Sequence, residues 1–362
     1  MILLFSKRNK KQDEFLPTEE MPSLAVLIAA YNEEKVIEKK IRSVFNTQYP
    51  LSKIKVYLGS DASTDSTEDI VQKLQVEFSN LDLVKFTGRS GKINIINHLQ
   101  SLGDEEILIM TDANVIFKPE TLFQLVKKFK DKDVGIVAAN IIKESSTNEG
   151  IEFQEKVYLS VENKIKASES NAFNQIMGAE GGCYAIRNDL FSKVPLKFIV
   201  DDFFITMQVI TRGKKTMFNP LAVCMEDVAS DVAGEYKRKV RISSGNFQNM
   251  FFFKELLFSF WKPVGFMFWS HKVLRWLTPF FLLFSLLSTL SLATQSKVFF
   301  ILLLIQLLGL LFPLFNYLIG FKSPLLKFIS HFYLMNFALL EGFFRFTKGV
   351  KSSIWQPVKR NV

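Results

Sequence analysis

The sequence predicts an α/β protein: a mainly parallel, Rossmann-like sheet, followed by interfacial helices and a C-terminal α-helical membrane region. Two observations carry this expectation. Short apolar runs in the first two thirds of the chain alternate with stretches of helical periodicity of about ten to fifteen residues, which is the pattern of βαβ units. Hydrophobicity is then spread unevenly, since 22 of the 37 Phe lie between Phe247 and the C-terminus.

The elements follow in order. Leu24 to Ala30 reads as a strand that ends at Tyr31-Asn32-Glu33-Glu34. Asn32 suits a helix N-cap there, and Glu33 and Glu34 complement the positive end of the helix that follows, whose apolar face is Ile37, Ile41, Val44 and Phe45. A second strand, Ile54 to Leu58, runs into Gly59-Ser60-Asp61-Ala62-Ser63-Thr64-Asp65. Asp65 and Glu68 are spaced as a capping box for a helix burying Ile70, Val71 and Leu74. Leu83 to Phe86 forms a third strand, before Gly88-Arg89-Ser90-Gly91-Lys92 and another helix start. Ile107 to Thr111 is a short, bounded apolar run, the mark of a buried parallel strand, and it ends in Asp112-Ala113-Asn114. Pro119 marks a further helix start, with the stripe Leu122, Leu125, Val126 and Phe129, and Val134 to Ala139 is another strand.

Four strand ends therefore carry polar groups: Asn32, Asp61, the Arg89–Lys92 loop, and Asp112 with Asn114. Open α/β sheets bind ligands at the carboxyl ends of their strands. A carboxylate and a carboxamide separated by one small residue suit a hard divalent cation held by oxygen, although the same pair also suits a plain turn. Asp61 is placed to accept bonds from a nucleoside or to form an Asx-turn. Lys92, at a Gly-flanked helix start, is placed for phosphate oxygens. No Gly-rich Walker loop and no GxGxxG is present, so neither a P-loop ATPase nor a classical dinucleotide fold is supported.

Beyond the α/β part, Trp276 to Ser296 holds 21 residues without a charge and Val298 to Phe321 holds 24. Each run is long enough for a hydrocarbon core of about 30 Å. A third, Phe328 to Leu340, has only 13 uncharged residues and reads as interfacial or re-entrant. Met250 to Phe268, aromatic but broken by Lys254, Glu255, Lys262 and Pro263, reads as an interfacial helix pair with Trp261 and Trp269 at headgroup level. The apolar start Met1 to Phe5 is too short for a signal peptide before Lys7 and Arg8. The net charge is +9, and Arg345, Lys348, Lys351, Lys359 and Arg360 follow Glu341. Under the positive-inside rule this basic tail belongs in the cytoplasm with the polar part of the chain, which favours an even number of crossings. Because the positive charge gathers around the membrane segments, nucleic acid is not an expected partner. Two cysteines suit a reducing compartment and exclude a disulfide framework, and His98, His271 and His331 are too scattered for a zinc site.

Taken in order, the motifs resemble family 2 glycosyltransferases of the GT-A fold. AAYNEE (29–34) is similar to the family's first strand end, SDASTDST (60–67) to its DDGSTDxT nucleoside motif, and RSGKINIIN (89–97) to its RxGKxxALN. TDAN (111–114) is similar to the DxD motif, GAEGGCYAIR (178–187) to the acceptor-side segment, and VDDFF (200–204) to the ED motif. RKVRI (238–242) stands where processive members carry QxxRW. SHKVLRWLTP (270–279) resembles the membrane-bound branch that includes hyaluronan, chitin-oligosaccharide and poly-N-acetylglucosamine synthases.

The resemblance covers about Ser23 to Gln248 and implies an N-terminal tail (1–22) and a GT-A catalytic domain (23–235). Gating and interfacial helices (236–270), transmembrane and interfacial helices (271–347) and a basic tail (348–362) would follow. It implies an inverting hexosyltransferase, multi-pass in the inner membrane with its catalytic domain cytoplasmic. The enzyme would move a sugar from a nucleotide donor, UDP-linked, to a lipid-linked or oligosaccharide acceptor in envelope glycan synthesis. Donor contacts then fall on Ala30, Tyr31, Asn32, Glu34, Asp61, Arg89, Lys92, Asp112, Ala113, Arg238 and Arg241, and acceptor contacts on Gly181, Gly182, Cys183 and Asp201. Asp112 and Asn114 would hold Mg²⁺ or Mn²⁺, and Asp202 would be the base.

Three departures qualify this pattern. Ser60 replaces a carboxylate of the nucleoside motif, Asn114 replaces the second carboxylate of DxD, and Arg238 and Ile242 stand in the Gln and Trp positions of QxxRW. An aliphatic side chain has no π-face for an acceptor sugar, which places single-sugar transfer ahead of processive synthesis. A non-catalytic nucleotide-sugar-binding scaffold is the alternative from another class; Asp112 and Asp202 argue against it.

Overall fold

The computed structural model describes residues 14–17, 19–144, 151–227, 232–320 and 323–350. Most of the expected N-terminal tail, and the basic tail with Lys351, Lys359 and Arg360, lie outside the described residues. The chain divides into two compact units, the first of Met1–Asn148, Glu155–Ser230 and Lys351–Val362 and the second of Glu149–Gln154 and Asp231–Val350.

In the first unit the strands are β1 (Leu24–Ala30), β2 (Ile54–Ser60), β3 (Leu81–Lys85), β4 (Ile107–Asp112), β5 (Val115–Phe117), β6 (Val134–Glu144), β7 (Cys183–Arg187) and β8 (Lys215–Asp227). They form one sheet in the order β3-β2-β1-β4-β7-β6-β8-β5. The β3-β2-β1-β4 half is parallel, with Ala30 beside Ser60 and Ala29 beside Asp112, so three carboxyl ends finish at one edge. β7 then runs antiparallel to β4 and pairs Cys183 with Thr111, which brings the Gly181-Gly182 approach to that same edge. β6 and β8 are parallel, and β5 is antiparallel to β8. The expected mainly parallel sheet is thus a parallel half joined to a mixed one.

Helices cover both faces. From α1 (Ile37–Phe45), Ile37, Ile41 and Val44 pack with Val26, Ile28 and Leu58 in the main core, joined by Val71 and Leu74 of α2 (Thr67–Glu77) and by Leu122 and Leu125 of α4 (Thr121–Val126). Gly59, adjacent to Leu58, points to the opposite face. There α3 (Lys92–Gln100) lies so close that a Cβ on Gly59 would come within 2.3 Å of Ile95 Cγ2. Two further helices, α5 (Ile151–Phe173) and α6 (Asp201–Thr211), complete this unit.

Two local expectations are corrected. α1 begins at Ile37, not after Asn32, which adopts φ +53° and ties itself to the neighbouring strand-end loop. α2 begins at Thr67 without a capping box: Asp65 accepts from the Thr67 amide, while Glu68 turns to Ser60 and Lys85.

The second unit contains α7 (Val232–Phe252), a 3-10 turn (Lys254–Phe258), α8 (Pro263–Met267), a π-helical turn (Phe268–Val273) and α9 (Leu274–Trp276). Then come α10 (Thr278–Leu292), α11 (Lys297–Ile319) and α12 (Pro324–Thr347). Phe247 is buried against Phe343 and Phe280, with ring centroids 5.0 and 6.3 Å away. α7 and α12 touch closely enough that a Cβ on Gly342 would lie 2.4 Å from Ser243 Cβ.

The apolar runs form different elements from those expected. Trp276 to Ser296 is not one rod: the chain bends by 60° between Pro263–Trp276 and Thr278–Leu292. Pro279 opens the second piece, where it needs no helical donor. Among the described residues only Lys297–Ile319 is by itself long and apolar enough to cross a membrane, with a mean hydropathy of 2.7, or two spans if the bent pair counts as one. The third run belongs to α12, which continues as one helix of 24 residues through Lys327, Glu341 and Arg345. The anticipated helix pair over 250–268 is the end of α7, the 3-10 turn and the short α8.

Candidate active site

The strand edge of the first unit gathers one cation and three carboxylates. Lys92 opens α3 behind Gly91, whose φ of +86° suits a residue without a Cβ. Its Nζ donates to Asp112 Oδ1 at 2.7 Å and lies 3.9 Å from Asp201 Oδ2. Burial pulls this ammonium down, but Asp112 and then Asp201 outweigh it, so Lys92 titrates well above its ordinary range. It stays charged at any physiological pH.

Asp201 and Asp202 occupy the first turn of α6, where a helix favours negative charge. Asp202 Oδ1 accepts from the Phe203 amide at 2.7 Å. A Cβ built on Gly181 would lie 2.9 Å from Asp202 Oδ2, so the glycine lets the backbone approach that carboxylate. Burial first, and Asp201 second, push the Asp202 carboxyl up to about 6, against the lowering pull of Lys92. A carboxyl in that range is ionised at neutral pH yet basic enough to take a proton.

Asp61 is engaged by its own neighbours. Its fully buried carboxylate accepts from Arg89 Nε at 3.0 Å, from the Ser90 amide at 2.6 Å and from the Gly91 amide at 3.2 Å. It therefore fixes the loop that delivers Lys92. The Arg89 guanidinium lies 3.3 Å from the centroid of the Tyr31 ring, so one arginine joins the ends of β1 and β2. Asn32 and Glu34 complete the clasp: Asn32 Oδ1 accepts from the Thr64 amide at 2.8 Å, and Glu34 Oε2 accepts from the Ser66 amide at 3.0 Å.

The other expected residues are less evenly placed. Ala30 and Ala113 are buried at the strand ends. Asn114 donates to Glu226 Oε1 on β8 at 3.4 Å. Gly182 backs onto Ile141, and its carbonyl accepts from Thr111 Oγ1 at 2.9 Å. Cys183 does not line an open site: it is fully buried in the core cluster that also holds Cys224, because the alternation of β7 turns it inward. Arg238 and Arg241 belong to α7 in the second unit, where Arg238 pairs with Glu235 at 2.9 Å.

Residues 25–194 match the model of the glycosyl transferase family 2. Over this stretch the first unit is similar to family 2 glycosyltransferases, and its sheet is GT-A-like. Poly-β-1,6-N-acetyl-D-glucosamine synthase of Staphylococcus aureus is 26% identical over 249 residues, which cover 66% of this chain and 57% of that protein. The Staphylococcus epidermidis protein of the same name is 24% identical over 258 residues, 68% of this chain and 58% of its own. The chain thus spans little more than half the length of the curated relatives it matches. Among solved structures, the mannosyltransferase PcManGT from Pyrobaculum calidifontis, in complex with GDP-Man and Mn²⁺, superposes with a TM-score of 0.72 at 21% identity, over 96% of this chain and 92% of that one. That likeness concerns the fold. Asp201 and Asp202 stand just beyond the matched stretch.

The first unit also fits a divalent cation in one particular way. Among the described residues no three His, Cys, Asp or Glu side chains converge into a cage. Asp112, however, is 39% exposed and gives only Oδ1 to Lys92. A single open carboxylate oxygen suits a hard ion shared with a ligand's phosphates, rather than one held by protein alone.

Lys40 and Tyr184 have no role in the sequence reading, and Glu68 has another than the cap expected of it. Lys40 is wholly buried on α1, Glu68 receives the Ser60 hydroxyl at 2.7 Å, and the Tyr184 hydroxyl is buried without a hydrogen-bond partner. Burial, and then the neighbouring Asp201, Asp202 and Asp112, hold that phenol well above its usual range. Lys40 did leave a signal: it sits one turn from Ile37 and Val44, on the apolar face of α1.

Proposed function

We propose that this chain is a membrane-anchored, inverting glycosyltransferase that moves a sugar from a UDP-linked donor to a lipid-linked or oligosaccharide acceptor in envelope glycan synthesis. Its catalytic domain would cover 23–235, face the cytoplasm and be anchored at the inner membrane by the helices that follow. The observation that carries the reading is the Lys92–Asp112 pair beside Asp201 and Asp202, at the carboxyl edge of a family 2 domain.

In this reading the donor diphosphate lies at the start of α3, where Lys92 and free helix amides face its negative charge. Asp112, with Asn114, would hold Mg²⁺ or Mn²⁺, which as a Lewis acid withdraws charge from the leaving diphosphate. Asp202 takes the proton of the acceptor hydroxyl as the oxygen attacks the anomeric carbon. The nucleoside diphosphate leaves from the opposite face, so the anomeric centre inverts. Asp201 keeps its neighbour basic, Gly181 gives the acceptor room beside it, and Arg238 and Arg241 are assigned to the diphosphate. Ile242 in place of an aromatic supports transfer of one sugar at a time.

Washed membranes carrying the chain, given radiolabelled UDP-N-acetylglucosamine, UDP-glucose or GDP-mannose with Mn²⁺, should transfer label from a UDP sugar to an extractable acceptor. Transfer from GDP-mannose alone would replace the nucleotide assignment. Absence of transfer and of donor hydrolysis with every donor would overturn the enzyme.

A further inference from the structure

The geometry points to Lys40 as a positioning residue that braces the Asp112–Asn114 turn from beneath the sheet. The inference rests on the glycosyltransferase reading, and it concerns a residue outside every motif of that family noted in the sequence.

Lys40 has no exposed surface. Its ammonium donates to Thr111 Oγ1 at 2.8 Å and to the Val115 carbonyl, and lies 3.5 Å from the centroid of the Phe117 ring. Thr111 immediately precedes Asp112, and Val115 immediately follows Asn114. One cation therefore holds both feet of the turn that would carry the metal and the donor. Thr111 Oγ1 also donates to the Gly182 carbonyl at 2.9 Å, and the Asp112 amide donates to the same oxygen at 3.2 Å. The brace extends in this way to the segment that approaches Asp202.

Folding alone gives no reason for a charge here. No carboxylate lies within ion-pair distance of Lys40 among the described residues, and its neighbours include the buried thiols of Cys183 and Cys224. A methionine of similar length would fill the space without desolvating a charge. What the ammonium adds is direction: two donors aimed at fixed oxygens and a third hydrogen toward a π-face. Such directionality sets the position of a backbone turn more sharply than apolar packing does. Displacing a metal-bearing carboxylate by about 1 Å can cost roughly 10²-fold in rate.

The test uses the full chain in detergent with Lys40→Met and Lys40→Gln. Hydrogen exchange should accelerate about tenfold or more in the 111–117 segment of Lys40→Met, with β2 unchanged. kcat should fall roughly 10–100-fold, and the Mn²⁺ concentration for half-activation should rise, while the acceptor KM stays at the parent's value. Lys40→Gln, which keeps donors for Thr111 and Val115, should recover part of both losses. Unchanged exchange in 111–117 would remove the brace. Faster exchange with parental kcat and metal response would remove its link to catalysis. If Lys40→Met does not fold, a Lys40→Gln variant with parental exchange and kinetics overturns the proposal, and one with intermediate losses upholds it. Should the parent itself transfer no sugar, the glycosyltransferase reading falls while the exchange data still decide the brace.

Discussion

Lys92 Nζ and Asp112 Oδ1 stand 2.7 Å apart, and this pair joins the start of α3 to the end of β4. Opposite charges at such a strand edge pre-set the site. The ammonium compensates Asp112 and lies near Asp201, and a diphosphate arriving with its cation would share both charges. The pair is partly exposed, so its worth lies in placement rather than in fold stability.

Lys92→Met should therefore fold and keep its melting temperature within a few degrees. It should raise the donor KM by about tenfold or more, because a charge-assisted contact to phosphate is lost. Isothermal titration with UDP and Mn²⁺ measures this directly. Parental affinity in Lys92→Met would remove the lysine from the donor site.

Asp202 supplies a pH signature. Its folded carboxyl is raised to about 6 from 3.8, so it is ionised, and able to accept a proton, above about pH 6. kcat/KM should fall about tenfold per unit below that point. The stability effect has the opposite sense. A raised pKa means that the folded state binds the proton more tightly, so the penalty is present above about pH 6 and fades as pH falls toward the unfolded value. Asp202→Asn should melt higher than the parent near neutral pH, lose that advantage in acid, and turn over about 10²–10⁴-fold more slowly. A dead Asp201→Asn beside a normal Asp202→Asn would move the base one residue upstream.

Asp61 separates two roles by nucleotide preference. If its carboxylate acts by holding Arg89, Ser90 and Gly91, then Asp61→Asn raises the donor KM equally for UDP- and GDP-linked sugars. It also lowers the melting temperature, because a buried acceptor of several charge-assisted bonds is weakened. A change in the ratio of the two KM values would show instead that Asp61 reads the base.

The strands that could be read from sequence were those with local signals. β1, β2 and β4 are apolar runs closed by polar residues, and their edge follows from parallel βαβ logic. β5, with three residues, carries too little pattern to be seen, and β7 hides in a glycine-rich approach because its partner β4 is distant in sequence. The site follows the same rule. Lys92 and Asp112 stand out as candidates from their positions at element ends, and Asp202 only through the resemblance of its motif. The inward turn of Cys183 and the donors that enclose Asp61 depend on contacts across the fold. Lys40 on an apolar face was a visible anomaly whose partners, Thr111 and Val115, no local spacing could supply.

Membrane topology gives the last expected outcome. α11 is the one described helix that suffices for a span by itself, and α12, at 24 residues and about 1.5 Å per residue, is long enough in distance. Its charges disfavour crossing: Lys327, Glu341 and Arg345 would enter or border the hydrocarbon, and Glu341 accepts a hydrogen bond from Tyr236 Oη at 2.8 Å. The bent pair Pro263–Trp276 and Thr278–Leu292 would then make one crossing and α11 a second. The turn at Gln295 would face outward, and the end of α12 at Lys348 would face the cytoplasm with the catalytic domain. The native Cys183 and Cys224 are both buried, so single added cysteines can be read against a low background. Gln295→Cys should react with an impermeant maleimide in intact cells, and Lys348→Cys only after permeabilisation. Labelling of Lys348→Cys in intact cells would mean that α12 crosses and that the number of spans is odd.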